Sequence, residues 1–530
     1  MKILILQLAR LGDILQTWPT LRALKRQFPQ AQLHVLARTR FREALDGLSV
    51  VDQVWSFDSK EILRPLAQTE PDIDASLSAI ELLIGQLRAE QFDQVINLSF
   101  SPVSSFLTSL LAAGSGEEFS AKFAAESAGD SMRESTSLRG YTRQADGYLA
   151  IPDDASAYFY AQVGQDRPNR IHLTDLFAHI AGVELAPEDW AGPELDQSAQ
   201  YQNCEGAIVV HIGASQAQKT LSGRMWAEIV KGIVGAQVAP VVLIGAASER
   251  EIGENITAAC GGAQPINLVG QTKFSDLFPI ISRAHLLVGG DSAPLHIASL
   301  VGTAVFNLSF PMVSFWETGP RAARSRVISV TDETLLPCDV CVQDIVSVWR
   351  EVADACQSRT FITARTHLPS YLVETTGSGY SLSSSAVASD FPCDQYEFQW
   401  NFVRAIYMGE SFPPAPSEIF VEAVRRLLEA NAVALHQLKS MDKLSHRETS
   451  VQILDRVDEI IEQIARMVPD IGPLVRWFQT ERLRMGPMPV AELISETRRL
   501  HLKLEEVLAL YHLEIDQFGT DMKSEREKQA

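Results

Sequence analysis

Two long stretches of this chain alternate short apolar runs with amphipathic segments, and a break in the rhythm separates them. From Lys2 to about Ala186 the runs KILILQL, QLHVLA, VDQVWSF and FDQVINLS alternate with helical patterns such as TLRALKRQF and ELLIGQLRAEQ. Short, continuous apolar runs bounded by turn signals suit strands buried on both faces. Strands alternating with helices predict a parallel, doubly wound α/β sheet. The segment APEDWAGPELDQSAQYQNCEG then brings in Pro, Gly and Asp and reads as an interdomain linker. At Ala207 the alternation resumes, with AIVVHIG, APVVLIG, INLVG, HLLVGG and TAVFNLS as strands between helical segments. The pattern predicts two Rossmann-like domains, residues 1–186 and 206–375, facing across a cleft.

Beyond them the code changes. Residues 376–393, TGSGYSLSSSAVASDFPC, are Ser/Gly-rich and read as a flexible tether. In residues 394–530 the periodicity is helical only. Phe420, Val424, Leu427, Leu428, Leu435 and Leu438 share one face; Leu454, Ile461, Ile464 and Val468 another; Leu493, Thr497, Leu500, Leu504 and Tyr511 a third. Three amphipathic helices predict a small C-terminal all-α bundle.

A length of 530 residues fits about three domains. The formal net charge of −20 opposes nucleic acid and anionic lipid unless a local basic cleft overrides it, so no nucleic-acid partner is expected. No window holds the roughly 18 uninterrupted apolar residues of a membrane helix. The apolar run ending near Arg10 is short and lacks a small-residue cleavage site, so the expectation is a cytoplasmic protein, at most peripheral to the inner membrane. Six cysteines do not make a secreted disulfide framework.

Ligands of open α/β sheets bind beyond the carboxyl ends of the strands. The first strand is followed by LARLGDIL, which places Asp13 there. In LLVGGDSAPLHIASLVG a strand ends at Gly289-Gly290, Asp291 and Ser292 take the N-cap region, and a helix follows with His296 in its second turn. The unpaired first-turn amides and the positive dipole end of such a helix can hold a pyrophosphate. N-capping by Asp291 and a surface position for His296 explain the same residues, so this motif does not decide alone. VVHIGASQAQKT puts His211 and Gly213 at a strand end and Lys219 in the next loop, within reach of a phosphate. VVLIGAASERE puts Gly245 at a strand end with Glu249 beyond it, either a partner for ribose hydroxyls or a solvated carboxylate.

LGDILQTWPTLRALKRQFPQAQLHVLA, VVHIGAS with its later Lys and Trp, and VGGDSAPLHIASLVGTAVFNL together resemble glycosyltransferase family nine, the ADP-heptose:lipopolysaccharide heptosyltransferases, over about residues 1–370. The resemblance implies a GT-B fold and inverting transfer of a heptose, or a related sugar, from a nucleoside diphosphate donor, ADP-heptose by preference. It implies that Asp13 is the catalytic base, that Lys219 meets the donor phosphates, that Glu249 meets the nucleoside, and that Asp291, Ser292, Ala293 and His296 hold the diphosphate. Arg10, with Gly12 near it, takes the place of a cation that many members carry two or three residues before the Gly-Asp pair. No Asp-x-Asp pair stands at a strand end here, so no metal is expected to be required for catalysis. A nicotinamide dehydrogenase would want Gly-x-Gly-x-x-Gly after the first strand, which QLARLGD lacks. A sugar-nucleotide epimerase would share the architecture, and only the Gly-Asp signature argues against it. The alternative from another class is a non-catalytic nucleotide-sugar-binding or partner-recruiting protein on the same scaffold.

Cys338 and Cys341 form a Cys-x2-Cys pair, with Cys356 following and Cys393 or His367 as a further ligand. This reads either as a structural iron or zinc site, as in the autotransporter heptosyltransferases that the core also resembles, or as buried or free thiols. The helical extension lies outside the resemblance. Its extra length is expected to serve self-association or capture of a protein, and the acceptor is expected to be a protein or the lipopolysaccharide core, with the extension favouring protein.

Overall fold

The apolar run behind Met1 becomes strand β1 (Lys2–Gln7), in which Ile3, Leu4, Ile5 and Leu6 are all fully buried. Burial on both faces follows from its central place in a parallel sheet. With β2 (Gln32–Arg38), β3 (Gln53–Phe57), β4 (Gln94–Asn97) and β5 (Ser137–Arg139), the strand order is β3-β2-β1-β4-β5. Leu4, Leu6, Leu36 and Val95 bury against Ile84, Leu87 and Leu107 of the covering helices. The computed structural model describes residues 1–112, 136–143, 147–163, 168–193, 201–214, 216–330, 336, 338–354, 370–376, 379–384, 396–441 and 447–529.

Two further strands, β6 (Thr142–Arg143) and β7 (Leu149–Ala150), form a separate antiparallel pair. The second α/β layer is built from β8 (Ile208–His211), β9 (Val241–Ile244), β10 (Ile266–Asn267), β11 (Leu286–Gly289), β12 (Ala304–Ser309) and β13 (Arg326–Ser329), in the order β10-β9-β8-β11-β12-β13 and parallel throughout. The strand order reverses direction at β1/β4 in the first sheet and at β8/β11 in the second. These are the switch points at which ligands of such sheets bind.

The second sheet does not end where the sequence pattern does. Strands β14 (Ser370–Thr376) and β15 (Gly379–Ser384) extend it antiparallel, β14 on β13 and β15 on β14. The expected tether of 376–393 is therefore sheet over 379–384, and residues 385–393 lie outside the described ones. Backbone pairing outweighs the Ser/Gly composition because Tyr380 and Leu382 alternate with serines at the strand period.

The chain divides into two compact units, residues 1–139 with 171–391, and residues 140–170 with 392–530. The first holds both parallel sheets. The expected 1–186 domain is thus interrupted: the helix Asp154–Gln162 packs on the helix Gly472–Arg484, and the rings of Tyr158 and Tyr407 meet edge to face at 5.2 Å. Aromatic residues in DASAYFYAQ need apolar cover, and the tail supplies it.

Among the described residues the tail carries five helices rather than the expected three: Glu397–Met408, Glu418–Ser440, Arg447–Met467, Gly472–Arg484 and Val490–Gln529. Phe402, Phe420, Leu427, Ile461, Phe478, Leu504 and Tyr511 belong to one core. Leu493, expected on the buried face of the last helix, is 40% exposed, because burial on that helix sets in only at Leu500. In the core, Asn431 Nδ2 donates to the His501 carbonyl at 3.0 Å, and His501 Nδ1 donates to Asn431 Oδ1 at 2.7 Å. Burial holds His501 neutral, with its pKa down at about 4. Among the described residues no helix is long and apolar enough to cross a membrane.

Candidate active site at the two switch points

β1 delivers the chain to Arg10, the N-cap of the helix Leu11–Gln27. Asp13 occupies the third position of that helix, and its Oδ2 accepts the Arg10 N–H at 2.9 Å. One carboxylate oxygen therefore closes the helix end as half of a capping box. The group is half-buried and lines a cavity of about 1030 Å³. Burial raises its pKa above the ordinary carboxylate value, opposed by the Arg10 amide, the Arg10 guanidinium and Lys219. A carboxylate made more basic in this way is a better proton acceptor.

The opposite wall comes from the second sheet. β11 ends at Gly289, and the helix Ala293–Val301 begins with Ser292 as N-cap. Ser292 does not cap its own helix. Its Oγ meets His211 Nδ1 at 3.0 Å and the Gly290 carbonyl at 3.3 Å, so the cap position contributes no side-chain acceptor to the first turn. Pro294 in that turn has no N–H to satisfy. Ser292, Ala293, Pro294 and His296 all line the cavity. Burial leaves His211 and His296 neutral, each with a pKa of about 4.

Lys219, on the loop after β8, lines the same cavity. Burial and the nearby Arg10 lower its pKa, while Asp291 and Asp13 pull it back up. Three more cations reach the space from the first sheet: Arg10, and also Arg38 and Arg40 at the end of β2, with the Arg40 guanidinium 4.3 Å from the Phe41 ring centre. Arg38 and Arg40 were not among the residues expected from sequence. The signal was present, since RTR directly follows the run QLHVLA and so stands at a strand's carboxyl end.

Of the expected site residues, Arg10, Gly12, Asp13, His211, Lys219, Glu249, Asp291, Ser292, Ala293 and His296 line this one cavity. Gly213 and Gly245 do not. They leave room for Glu249: a Cβ on Gly245 would stand 2.7 Å from the Glu249 Oε2, and one on Gly213 would collide with the same carboxylate. Glu249 Oε2 also accepts the Ala246 N–H at 2.6 Å, and the carboxylate takes a backbone bond from Ala214. Its pKa is raised by burial in spite of these bonds.

Asp291 has partners within the second sheet as well as a place at the cavity. Its Oδ1 accepts from Asn307 Nδ2 at 3.0 Å, and its Oδ2 accepts from Ser309 Oγ at 3.0 Å and from the Phe310 N–H at 3.1 Å. Both carboxylate oxygens thus bind the end of β12 while the residue also lines the cavity, and an anion placed beside the charge would be repelled.

Cys338 and Cys341 lie in the first turn of the helix Cys338–Ala353, and Cys341 is buried in the second sheet's core, where burial pushes its thiol pKa far up. Cys356, Cys393 and His367 lie outside the described residues. Among the described residues no group of three or more His, Cys, Asp or Glu side chains is placed to hold a metal ion.

The sequence profile of glycosyltransferase family 9 (heptosyltransferase) matches residues 169–344, which take in the second sheet's half of the site. The chain is 38% identical over 85 residues to the lipopolysaccharide core heptosyltransferase OpsX of Haemophilus influenzae, covering 16% of this chain and 24% of that protein. It thus spans about a quarter of this relative. To lipopolysaccharide heptosyltransferase 3 of Escherichia coli it is 23% identical over 321 residues, 58% of this chain and 86% of that one. Among solved structures, a family 9 glycosyl transferase from Veillonella parvula aligns over 66% of this chain and 97% of its own at 15% identity, with a TM-score of 0.48. Over these residues the chain is similar to the heptosyltransferases of glycosyltransferase family 9.

Proposed function

We propose that this chain is an inverting, metal-independent GT-B glycosyltransferase that moves a heptose from ADP-heptose to a lipopolysaccharide-core acceptor. The observation that carries this is the shared cavity: Asp13, Lys219 and the start of the helix Ala293–Val301 all open into it. Asp13 takes the proton of the acceptor hydroxyl, whose oxygen forms the new bond to the sugar C1. The bond from C1 to the diphosphate oxygen breaks on the opposite face, and the electron pair leaves with the nucleoside diphosphate. Lys219 and the helix N-terminus stabilise that developing charge as preorganised donors. The choice of heptose and of lipopolysaccharide rests on the relatives' activities, and ADP on the family resemblance.

Thermal-shift screening against ADP-, GDP-, UDP- and dTDP-sugars tests the donor. A ligand at 100 times its dissociation constant should stabilise by about 2.7 kcal/mol. Mass spectrometry of the acceptor then tests transfer, and donor binding with no transferred sugar would favour a non-catalytic sugar-nucleotide-binding scaffold. Undiminished turnover in EDTA is expected; loss of turnover would overturn metal independence. Lys219→Ala should weaken ADP binding by about tenfold, the loss of one charge-assisted contact.

The helical unit supports a separate proposal, that it makes protein–protein contacts, with itself or with a protein acceptor. It has its own core, and Ile419 and Met467 stand largely exposed on it. Ile419→Asp with Met467→Asp should change the sedimentation of the full chain or its capture of acceptor; no change in either removes the proposal. A structural iron or zinc on Cys338, Cys341, Cys356 and Cys393 is likewise a proposal, and elemental analysis of the purified chain decides it.

A further inference from the structure

Gly12, on the helix after β1, and His296, on the helix after β11, touch. A Cβ built on Gly12 would lie 2.9 Å from His296 Cδ2 and 3.1 Å from Nε2, closer than side chains pack. The backbone of Gly12 has ordinary negative-φ geometry, so position 12 is glycine for space and not for conformation. The imidazole is only 8% exposed, on a helix whose residues Pro294 to Leu300 are all buried, so the ring has little freedom to withdraw. Further along the Leu11–Gln27 helix, Trp18 stacks on Phe278 at 5.4 Å. The helix that carries Asp13 is therefore held against the second sheet at two points, one of them directly beside the carboxylate.

We infer that His296 is a positioning residue, which acts through Gly12 to set where Asp13 stands relative to the start of the helix Ala293–Val301. The inference rests on the reading of Asp13 as the base. It is an alternative to the diphosphate-ligand reading of His296, and the test below separates the two. A neutral imidazole adds no charge to a diphosphate, and the cations Lys219 and Arg10 already line the cavity. What the imidazole supplies is thickness. It fixes the gap between the group that receives the proton and the helix end that receives the leaving group, and an error of about 1 Å in such a gap can cost a hundredfold in rate.

A double-mutant cycle on the full chain tests this, read in kcat with ADP-heptose, in the dissociation constant of ADP, and in Tm. Gly12→Ala should lower kcat about a hundredfold and lower Tm, with ADP affinity held within about twofold. His296→Ala should also lower kcat while sparing ADP affinity. The double variant Gly12→Ala/His296→Ala should recover at least about tenfold in kcat over Gly12→Ala and regain Tm, because the new methyl group enters the space the ring has left. Effects that simply add in both kcat and Tm overturn the inference. So does a His296→Ala variant that loses ADP affinity at unchanged kcat, which would make His296 a phosphate ligand. The Tm arm needs no turnover. Absence of transfer in the unmodified chain would therefore bring down the proposed function, while an uncoupled Tm cycle would bring down the Gly12–His296 contact itself.

Discussion

The two switch points carry the same device to different ends. Asp13 follows β1 and Asp291 follows β11, and burial raises the pKa of both. Asp291 answers burial with three donors, Asn307, Ser309 and the Phe310 amide. Asp13 takes backbone bonds from the Arg10 amide and from its own amide, and the carboxylate faces a cavity. A strand-end aspartate whose lone pairs are spent is a fastener. One with lone pairs left over, made more basic by burial, is available to take a proton. Residue type and position do not separate the two; the count of donors does.

Alanine at each position should break the pair apart in opposite ways. Asp13→Ala is expected to lower kcat by about 10²–10⁴, the worth of a general base, with ADP affinity unchanged and roughly 1 kcal/mol of stability lost with the cap. Full activity in this variant would remove Asp13 from the chemistry. Asp291→Ala should instead leave three buried donors without an acceptor, at about 1–3 kcal/mol each when nothing replaces it. Denaturant unfolding should report a loss of about 3 kcal/mol or more, with donor binding weakened as the helix Ala293–Val301 loosens. A stable Asp291→Ala protein that loses only donor affinity would make Asp291 a ligand after all.

Periodicity made the two sheets legible, because buried parallel strands such as KILILQL and AIVVHIG are continuous apolar runs that little else explains. It failed where a local rule competed with composition. GYSLSS was read by its serines, although Gly377-Ser378 between two alternating stretches is a hairpin signal that β14 and β15 obey. Residues 140–170 were assigned by their neighbours in sequence, and no pattern within one segment tells which core its aromatic residues will enter. In the site, the residue types were legible but not how they spend their bonds. Gly213 and Gly245 look like ligand-facing glycines until the Glu249 carboxylate is found against them, and Asn307 and Ser309, which decide the role of Asp291, sit on a strand with no motif of their own.

Asparagine sharpens the comparison through pH. Asp13 has a folded pKa above its ordinary value of 3.8, so the folded state takes up this proton more readily than the unfolded chain. Its ionisation therefore costs stability at neutral pH, and that cost disappears as pH falls through the raised pKa. Asp13→Asn keeps a carbonyl acceptor for the Arg10 amide but has no charge to bury. It should raise Tm at pH 7, lose the advantage in acid below the Asp13 pKa, and be as inactive as Asp13→Ala. In the unmodified chain the acid limb of kcat/KM should fall at a pH above 3.8. A Tm gain that persists undiminished below the wild-type pKa would mean that the charge of Asp13 is not what burial opposes.

The smallest expected effect tests the fastener most directly. Ser309 is buried, and its hydroxyl is one of the three donors on Asp291. Ser309→Ala removes that bond but leaves Oδ2 with the Phe310 N–H and Oδ1 with Asn307. Because no buried charge loses its last partner, the loss should be near that of one hydrogen bond, about 0.5–1.5 kcal/mol. Activity should stay within about twofold, since Ser309 is not among the cavity-lining residues. If unfolding shows no change, the bond contributes nothing and Asp291 has a free lone pair, as Asp13 does. If instead ADP affinity falls by tenfold while stability holds, Ser309 is orienting Asp291 toward the donor, and the line between fastener and functional carboxylate has to be redrawn at this strand end.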